Sequence, residues 1–333
     1  MGIHQLPSFE DYWEQHTRVN IIALSMSRDR FMTIRNYLHF VDNDFVNSKD
    51  RFFKIRPVFS KIVESFLKFR AEDGIYSIDE TIVPYKGTRA GNLRQYNPKK
   101  PTKWGFKIIS LADTSGQIYS MILHQGKPTF DTLPETQKLS EEEKSFGSGP
   151  ASVIALLKTI EFKEIDLYLD NFFTNISLFV YLLDKMKVHA TGTFRKNRIE
   201  KCPLKTDKQL KSDGRGSLDF KSFENKFIMI KFFDNEAVHI GSTIYGVEPK
   251  GKLLRYSVDH ENKINIKCPN AISQYNLNMG GVDKSNYLVS LYRLRYKSRR
   301  WYMPIFYYLI DVCISNAWIL YLKNNNSIKQ KNF

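Results

Sequence analysis

Cysteine is scarce: Cys202, Cys268 and Cys313 are the only three, far apart and without CxxC spacing. That excludes a disulfide framework and a cysteine-rich zinc module, and it fits a reducing compartment. Histidine is also thin, and His124, His189, His239 and His260 show no metal-ligand spacing, so they read as structural residues. No GxSxG, Walker loop or HExxH is present, which removes the serine-hydrolase, nucleotide-hydrolase and zinc-protease classes. The start, MGIHQLPSFEDYW, has no basic stretch followed by an apolar one, so no secretory signal is expected. An unbroken apolar run of membrane length is missing too. The longest stretch, Met303 to Leu322, carries Asp311 and Asn316 inside it and Pro304 at its head, and it reads as a helix buried in a protein core, with no membrane as partner. Internal repeats are absent, and low complexity is confined to KNNNSIKQKN.

Acidic charge is the last shortage: 35 Asp and Glu stand against 50 Lys and Arg, for a net charge of +15. Such an excess attracts polyanions, nucleic acid first among them. A merely basic soluble protein would show the same balance, so the sequence patterns must decide. The 333 residues, 42% apolar and 14% aromatic, are ample for buried cores.

Residues 8 to 70 have helical character, with Ser8 as a cap, Ser27 or Met26 preceding the periodic set Phe31, Ile34 and Leu38, and a further helix from about Val58 to Phe69. From residue 75 the period becomes that of strands: IYSID, KWGFKIISLAD and QIYSMILHQ, separated by turns. Gln137 to Gly149 reads as a loop. A helix from Ala151 to Ile160, the strand IDLYLD, a helix from Ser177 to Met186 and the strand HATGTF follow. This α/β order is compatible with an RNase H-like layer. A Lys-rich segment after Arg195 leads to two β-rich runs, FIMIKFF and VHIGSTIYGV, that look like an insertion, and Asp283 then opens a helix-rich tail.

Three aspartates follow apolar runs: Asp79 in IYSIDE, Asp170 in IDLYLD and Asp283 in MGGVDK. Taken singly, each reads equally well as a cap, a turn residue or a surface group. Brought together, three carboxylates suit hard divalent cations that flank a phosphodiester. Cations interleave with aromatics from Tyr292 to Trp301, through Arg293, Arg295, Tyr296, Lys297, Arg299 and Arg300, as a surface following a phosphate backbone requires. Lys99, Lys100, Lys103 and Lys107 beside Trp104 form a second basic cluster, and Arg195, Lys196 and Arg198 a third.

The strings SIDETIVPYKG, YNPKKPTKWGFK, LYLDNFFTN, ATGTFRKNR, YNLNMGGVD and SLYRLRYKSRRWYMPIFYYLIDVCISNAW resemble, in collinear order over nearly the whole chain, the piggyBac transposases and their host-encoded derivatives. MSRDRF and YLHFVDN resemble the same family's helical entry region. The resemblance implies an α/β fold: an RNase H-like catalytic core interrupted by a mostly β insertion domain, with flanking helical N- and C-terminal segments. It implies a helical dimerisation and DNA-binding segment at 1–72, the first part of the core at 73–195, the insertion at 196–272, a core helix at 273–292 and a helical segment at 293–333 that packs with the N-terminal one. Asp79, Asp170 and Asp283 fall on the family's three catalytic, metal-binding aspartates, and Asn286 on a fourth position that is usually Asp. Two Mg²⁺ ions (or Mn²⁺), double-stranded DNA cut and joined at TTAA, a homodimer and a nuclear location are implied with them.

Two readings stay open at this point: an active DDD transposase core, or a domesticated DNA-binding protein that keeps the fold without transposition. Asn286, and an end at Phe333 without the cysteine-rich module such relatives often carry, favour the second. The three retained aspartates favour the first.

Overall fold

The computed structural model describes every residue except 1, 45, 46, 48, 70, 72, 99–101, 161–163, 200, 201, 258–260, 295–297, 326 and 327. The chain opens with helices α1 (Asn20–Ala23), α2 (Arg28–Tyr37) and α3 (Arg56–Phe66), then strands β1 (Ile75–Pro84), β2 (Gln95–Tyr96), β3 (Trp104–Asp113) and β4 (Ile118–Leu123). Helices α4 (Glu141–Ser145) and α5 (Ser148–Leu157), strand β5 (Ile165–Leu169), helix α6 (Ile176–Tyr181) and strand β6 (Val188–Phe194) follow. Next come α7 (Asp207–Ser212), β7 (Leu218–Phe223), β8 (Phe227–Phe233), β9 (Ala237–Ser242), β10 (Gly251–Ser257) and β11 (Asn262–Cys268). Helices α8 (Asn270–Asn278), α9 (Gly281–Leu291) and α10 (Met303–Asn324) complete it. Two compact units emerge, one of residues 1–64, 82–106 and 287–333, the other of 65–81 and 107–286.

In the larger unit a mixed sheet runs β3-β1-β5-β6-β9-β8-β7, with β4 on β3. β5 is parallel to both β1 and β6, while β9 pairs antiparallel with β6, β8 with β9 and β7 with β8. Strands buried on both faces carry continuous apolar runs rather than alternation, and β4 is buried at all six positions. One face of the sheet, through Tyr76, Ile78, Leu167, Leu169, Val188 and Ala190, packs in a single apolar cluster with α5. Helix α5 is buried from Gly149 to Leu157, as a helix apolar all round must be.

The expected insertion is indeed rich in strands, but β7, β8 and β9 are continuous with the main sheet, and only β10 and β11 form a sheet of their own. The FIMIKFF and VHIGS runs pair as a hairpin, from Phe233↔Ala237 back to Ile228↔Ser242. The stretch expected to be a loop, Gln137 to Gly149, instead holds α4 and the first residues of α5. Its cause is a capping box: Ser140 Oγ accepts from Glu143 N at 3.2 Å, and Ser140 N donates to Glu143 Oε2 at 2.6 Å.

In the smaller unit Ser27 caps α2 by accepting from Arg30 N at 3.3 Å. The helix expected from Ser8 is only a 3₁₀ turn, Glu10–Tyr12. Phe52, Phe106, Tyr302 and Trp301 form an aromatic cluster. Helix α10 is long and apolar enough to cross a membrane by length and composition alone. Its buried residues Ile305, Tyr308, Leu309, Val312, Asn316 and Ile319 recur at helical spacing on one face.

Asp311 is buried on α10 and accepts from Leu294 N at 3.3 Å. Burial pushes its carboxyl up to about 7, although Leu294 N–H and Arg293 oppose the rise. Between the ordinary aspartate value near 3.9 and about 7, the unfolded chain has lost a proton that the folded one keeps, so stability falls as pH rises through that window. Asp311→Asn, which keeps an acceptor for Leu294, is expected to flatten this slope. Melting curves from pH 4 to pH 8 should show the variant gaining on the parent as pH rises; parallel curves would contradict it.

Candidate active site

The register of β1 and β5 places the first two aspartates. Their parallel ladder runs from Ile75↔Asp166 to Ile78↔Leu169, so Asp79 and Asp170 are each the next residue after the last pair. Ile78 and Leu169 face the α5 cluster, and alternation therefore turns Asp79 and Asp170 to the opposite face, on strands about 4.8 Å apart. β6 continues the pattern: Gly192 pairs with Leu169, and the next residue, Thr193, donates its hydroxyl to Asp170 Oδ1 at 3.1 Å.

Helix α9 lies over the same face of β1. A Cβ on Gly281 would stand 2.6 Å from Ser77 Oγ, and five residues later Asn286 Oδ1 accepts from the Thr81 hydroxyl at 2.9 Å. Ser77, Asp79 and Thr81 share one face of β1 by alternation. Asp283, exposed in the first turn of α9, lies between these two residues in sequence. The first turn of a helix also favours a carboxylate there. Tyr275 on α8 is half-buried nearby: its hydroxyl is pushed well above the usual phenol range by burial and by the fields of Asp170, Asp79 and Asp283, against the opposing bond with Thr193. Tyr275 opens the string YNLNMGGVD, but the sequence gives it no role, because nothing in the string shows a phenol on a helix to be a neighbour of three distant carboxylates.

The arrangement gathers hard oxygen donors on one sheet face, but as the side chains stand, no three His, Cys, Asp or Glu among the described residues are close enough to hold a metal ion. Asp79 Oδ1 accepts from Glu80 N at 2.7 Å.

The expected DNA-binding cations divide sharply. Lys99, Lys100, Arg295 and Lys297 lie outside the described residues. Lys103, Arg195, Lys196 and Arg299 are exposed, and Arg293 is half-buried. Lys196 pairs with Asp207 at 3.1 Å, and Arg195 Nε donates to Asn171 Oδ1 at 3.1 Å.

Three of these basic residues are engaged within the fold itself. Arg300 spends its guanidinium on the carbonyls of Arg35, Asn36 and Leu38, closing the C-terminal end of α2, because the last carbonyls of a helix have no partner within it. Arg198 is likewise committed to the carbonyls of Asn171, Phe172 and Thr174. Lys107, in the basic cluster beside Trp104, is buried too, paired with Glu80 and seated 4.0 Å over the Phe172 ring on the face opposite Asp79.

The Transposase IS4 family model matches residues 1–318. PiggyBac transposable element-derived protein 3 of Homo sapiens is 32% identical over 325 residues, which is 96% of this chain and 53% of that protein. PiggyBac transposable element-derived protein 2 of Homo sapiens is 30% identical over 326 residues, again 96% of this chain and 53% of that protein. In fold, the chain is similar to the piggyBac transposase of a synaptic complex with hairpin DNA solved by cryo-EM, with a TM-score of 0.75 and 22% identity over 98% of this chain and 64% of that one. The chain spans about half the length of the curated relatives it matches. With a match over nearly its whole length, the chain belongs to the Transposase IS4 family and is a relative of the piggyBac transposable element-derived proteins.

Proposed function

We propose that this chain is the core of a piggyBac-like DNA transposase that cuts and transfers DNA strands at TTAA sites. In this reading β1, β3, β4, β5 and β6 with α5 and α6 are an RNase H-like catalytic layer, and residues 196–272 are the insertion. The observation that carries it is the parallel register that sets Asp79 beside Asp170 beneath the helix bearing Asp283. Family membership, the net charge of +15 and the DNA complex formed by the structural relative support double-stranded DNA as the substrate. A homodimer working in the nucleus belongs to the same reading.

Asp79, Asp170 and Asp283 would hold Mg²⁺ or Mn²⁺, hard cations that take carboxylate oxygen and keep some water. When bound, the ions supply positive charge at the phosphodiester under attack. The donor set suits such ions in kind: Asp79 and Asp170 end neighbouring strands beneath the helix that carries Asp283, and a cation can draw together carboxylates that would otherwise repel one another. The residues' own work is positional. Thr193 fixes one oxygen of Asp170, and α9 holds Asp283 over β1 through Gly281 and Asn286. Exposed Arg195, Lys196 and Arg299 would meet phosphates. The test is incubation with a TTAA-bearing duplex and Mg²⁺: metal-dependent nicking is expected, and binding without any cleavage would overturn the reading.

One observation favours the rival, a domesticated DNA-binding protein. The Asn286 side-chain oxygen is taken by Thr81 and carries no charge, so the fourth position adds no anionic ligand. Asn286→Asp keeps an acceptor for Thr81 and adds a charge. It is expected to raise cleavage severalfold at limiting Mg²⁺ while leaving DNA affinity nearly unchanged. Equal rates for parent and variant across a Mg²⁺ titration would show that the fourth position is not limiting.

A further inference from the structure

We propose that Arg198 is a positioning residue for Asp170, fastening the loop that follows β5, and not a ligand of DNA phosphate. The inference rests on the catalytic reading of Asp170, but the contact itself does not. Between the end of β5 and the start of α6 the backbone leaves the sheet, so the carbonyls of residues 171–174 lose their ladder partners and need donors from elsewhere. Arg198 Nη1 donates to Asn171 O at 3.1 Å and Phe172 O at 3.4 Å, and more closely to Thr174 O. Two further bonds complete the fastening: Phe173 N donates to Asp170 O at 2.9 Å, and the Thr174 hydroxyl to Thr193 O at 2.6 Å. Thr193 is also the residue that holds the Asp170 carboxylate. The loop backbone, the Asp170 side chain and the end of β6 are thus one bonded unit, with Arg198 closing it from the turn after β6.

All three bonds come from the one nitrogen Nη1, which the planar group holds at a fixed place, and a lysine ammonium ends one bond short of it on a freely turning stem. The neighbouring cations contrast with it. Arg195 and Lys196 are exposed: Arg195 donates to the Asn171 side chain and lies over the Phe172 ring, and Lys196 pairs with Asp207, contacts that a phosphate could replace.

The chemistry separates the two roles. Arg198→Lys keeps the charge that a phosphate contact needs and loses the reach that the loop carbonyls need. In Arg198→Lys, hydrogen exchange at the Phe173 amide is expected to accelerate at least about tenfold. Mn²⁺ binding, followed by the paramagnetic signal of the free ion, should weaken about tenfold, as a disturbed supporting shell does. Affinity for a duplex and its salt slope should stay as in the parent. Arg195→Ala should do the reverse, reducing the salt slope by about one with Phe173 exchange unchanged. Unchanged Phe173 exchange in Arg198→Lys would overturn the proposal, and so would an Arg198→Ala variant whose only defect is a salt slope lower by about one. If the substituted chains do not fold, the parent decides: Phe173 exchange should be the same with and without saturating DNA, whereas an Arg198 recruited to phosphate would release it. A parent that neither binds Mn²⁺ nor cleaves would remove the catalytic reading while leaving the exchange result to judge the fastening.

Discussion

Asp170→Asn is expected to abolish metal-dependent cleavage while leaving the protein folded. The substitution keeps the shape of the side chain and an oxygen to accept from the Thr193 hydroxyl, so the β5–β6 junction should hold. What it removes is one of three negative charges on which the proposed metal site depends. Changes in groups that merely support a metal ligand lose about 10–100-fold, and loss of a ligand's charge should exceed that. Cleavage of a TTAA duplex and Mn²⁺ binding should both fall by more than about a hundredfold, with a melting temperature close to the parent's. Retained cleavage would end the assignment of Asp170, and with it the three-carboxylate site.

The second large effect is expected at Gly281. An added Cβ would lie 2.3 Å from the Asp113 carbonyl oxygen and 2.6 Å from Ser77 Oγ, and the first of these is backbone that cannot rotate away. Gly281→Ala must therefore push the first turn of α9 off β1. Overpacking of this kind destabilises by about 1–3 kcal/mol, or several degrees of melting temperature for a chain of this size. Because Asp283 follows two residues later, cleavage should fall further than stability alone accounts for. Gly280→Ala is the control: nothing stands within 4 Å of its added Cβ, so it should change little. Equal effects of the two substitutions would show that the close approach does not position Asp283.

The parts of this architecture that were legible in the sequence are those governed by local pattern. The apolar run IDLYL had to be a strand buried on both faces, and Asp170 at its end had to emerge where the ladder stops. The cap at Ser27 and the hairpin of FIMIKFF with VHIGS follow the same local logic. The Ser140-to-Glu143 capping box was equally local, but the acidic and glycine residues around it read as a loop, and the helix it starts was missed. Partners set by tertiary structure were hidden. Arg198 and Arg300 look like any basic residue in a basic stretch, and only the folded chain shows that each meets unpaired carbonyls. Lys107 looked like part of a surface cluster, yet alternation along β3 turns it inward against Glu80. The contiguity of β9 with β6 depends on pairing across some fifty residues, which no periodicity reveals.

That contiguity has a mechanical side. A hinged appendage can swing without disturbing the body that carries it, but a strand laced into a sheet by its backbone cannot. Thr191 to Phe194 of β6 are bonded in register to His239 to Ser242 of β9, and the row includes Thr193, whose hydroxyl holds Asp170. A load taken up at the outer strands β7 and β8 would pass along stiff peptide rungs into the strand that steadies this carboxylate. The outer strands are therefore laced by backbone bonds to the strand whose Thr193 holds Asp170, and not hung from it by a free linker.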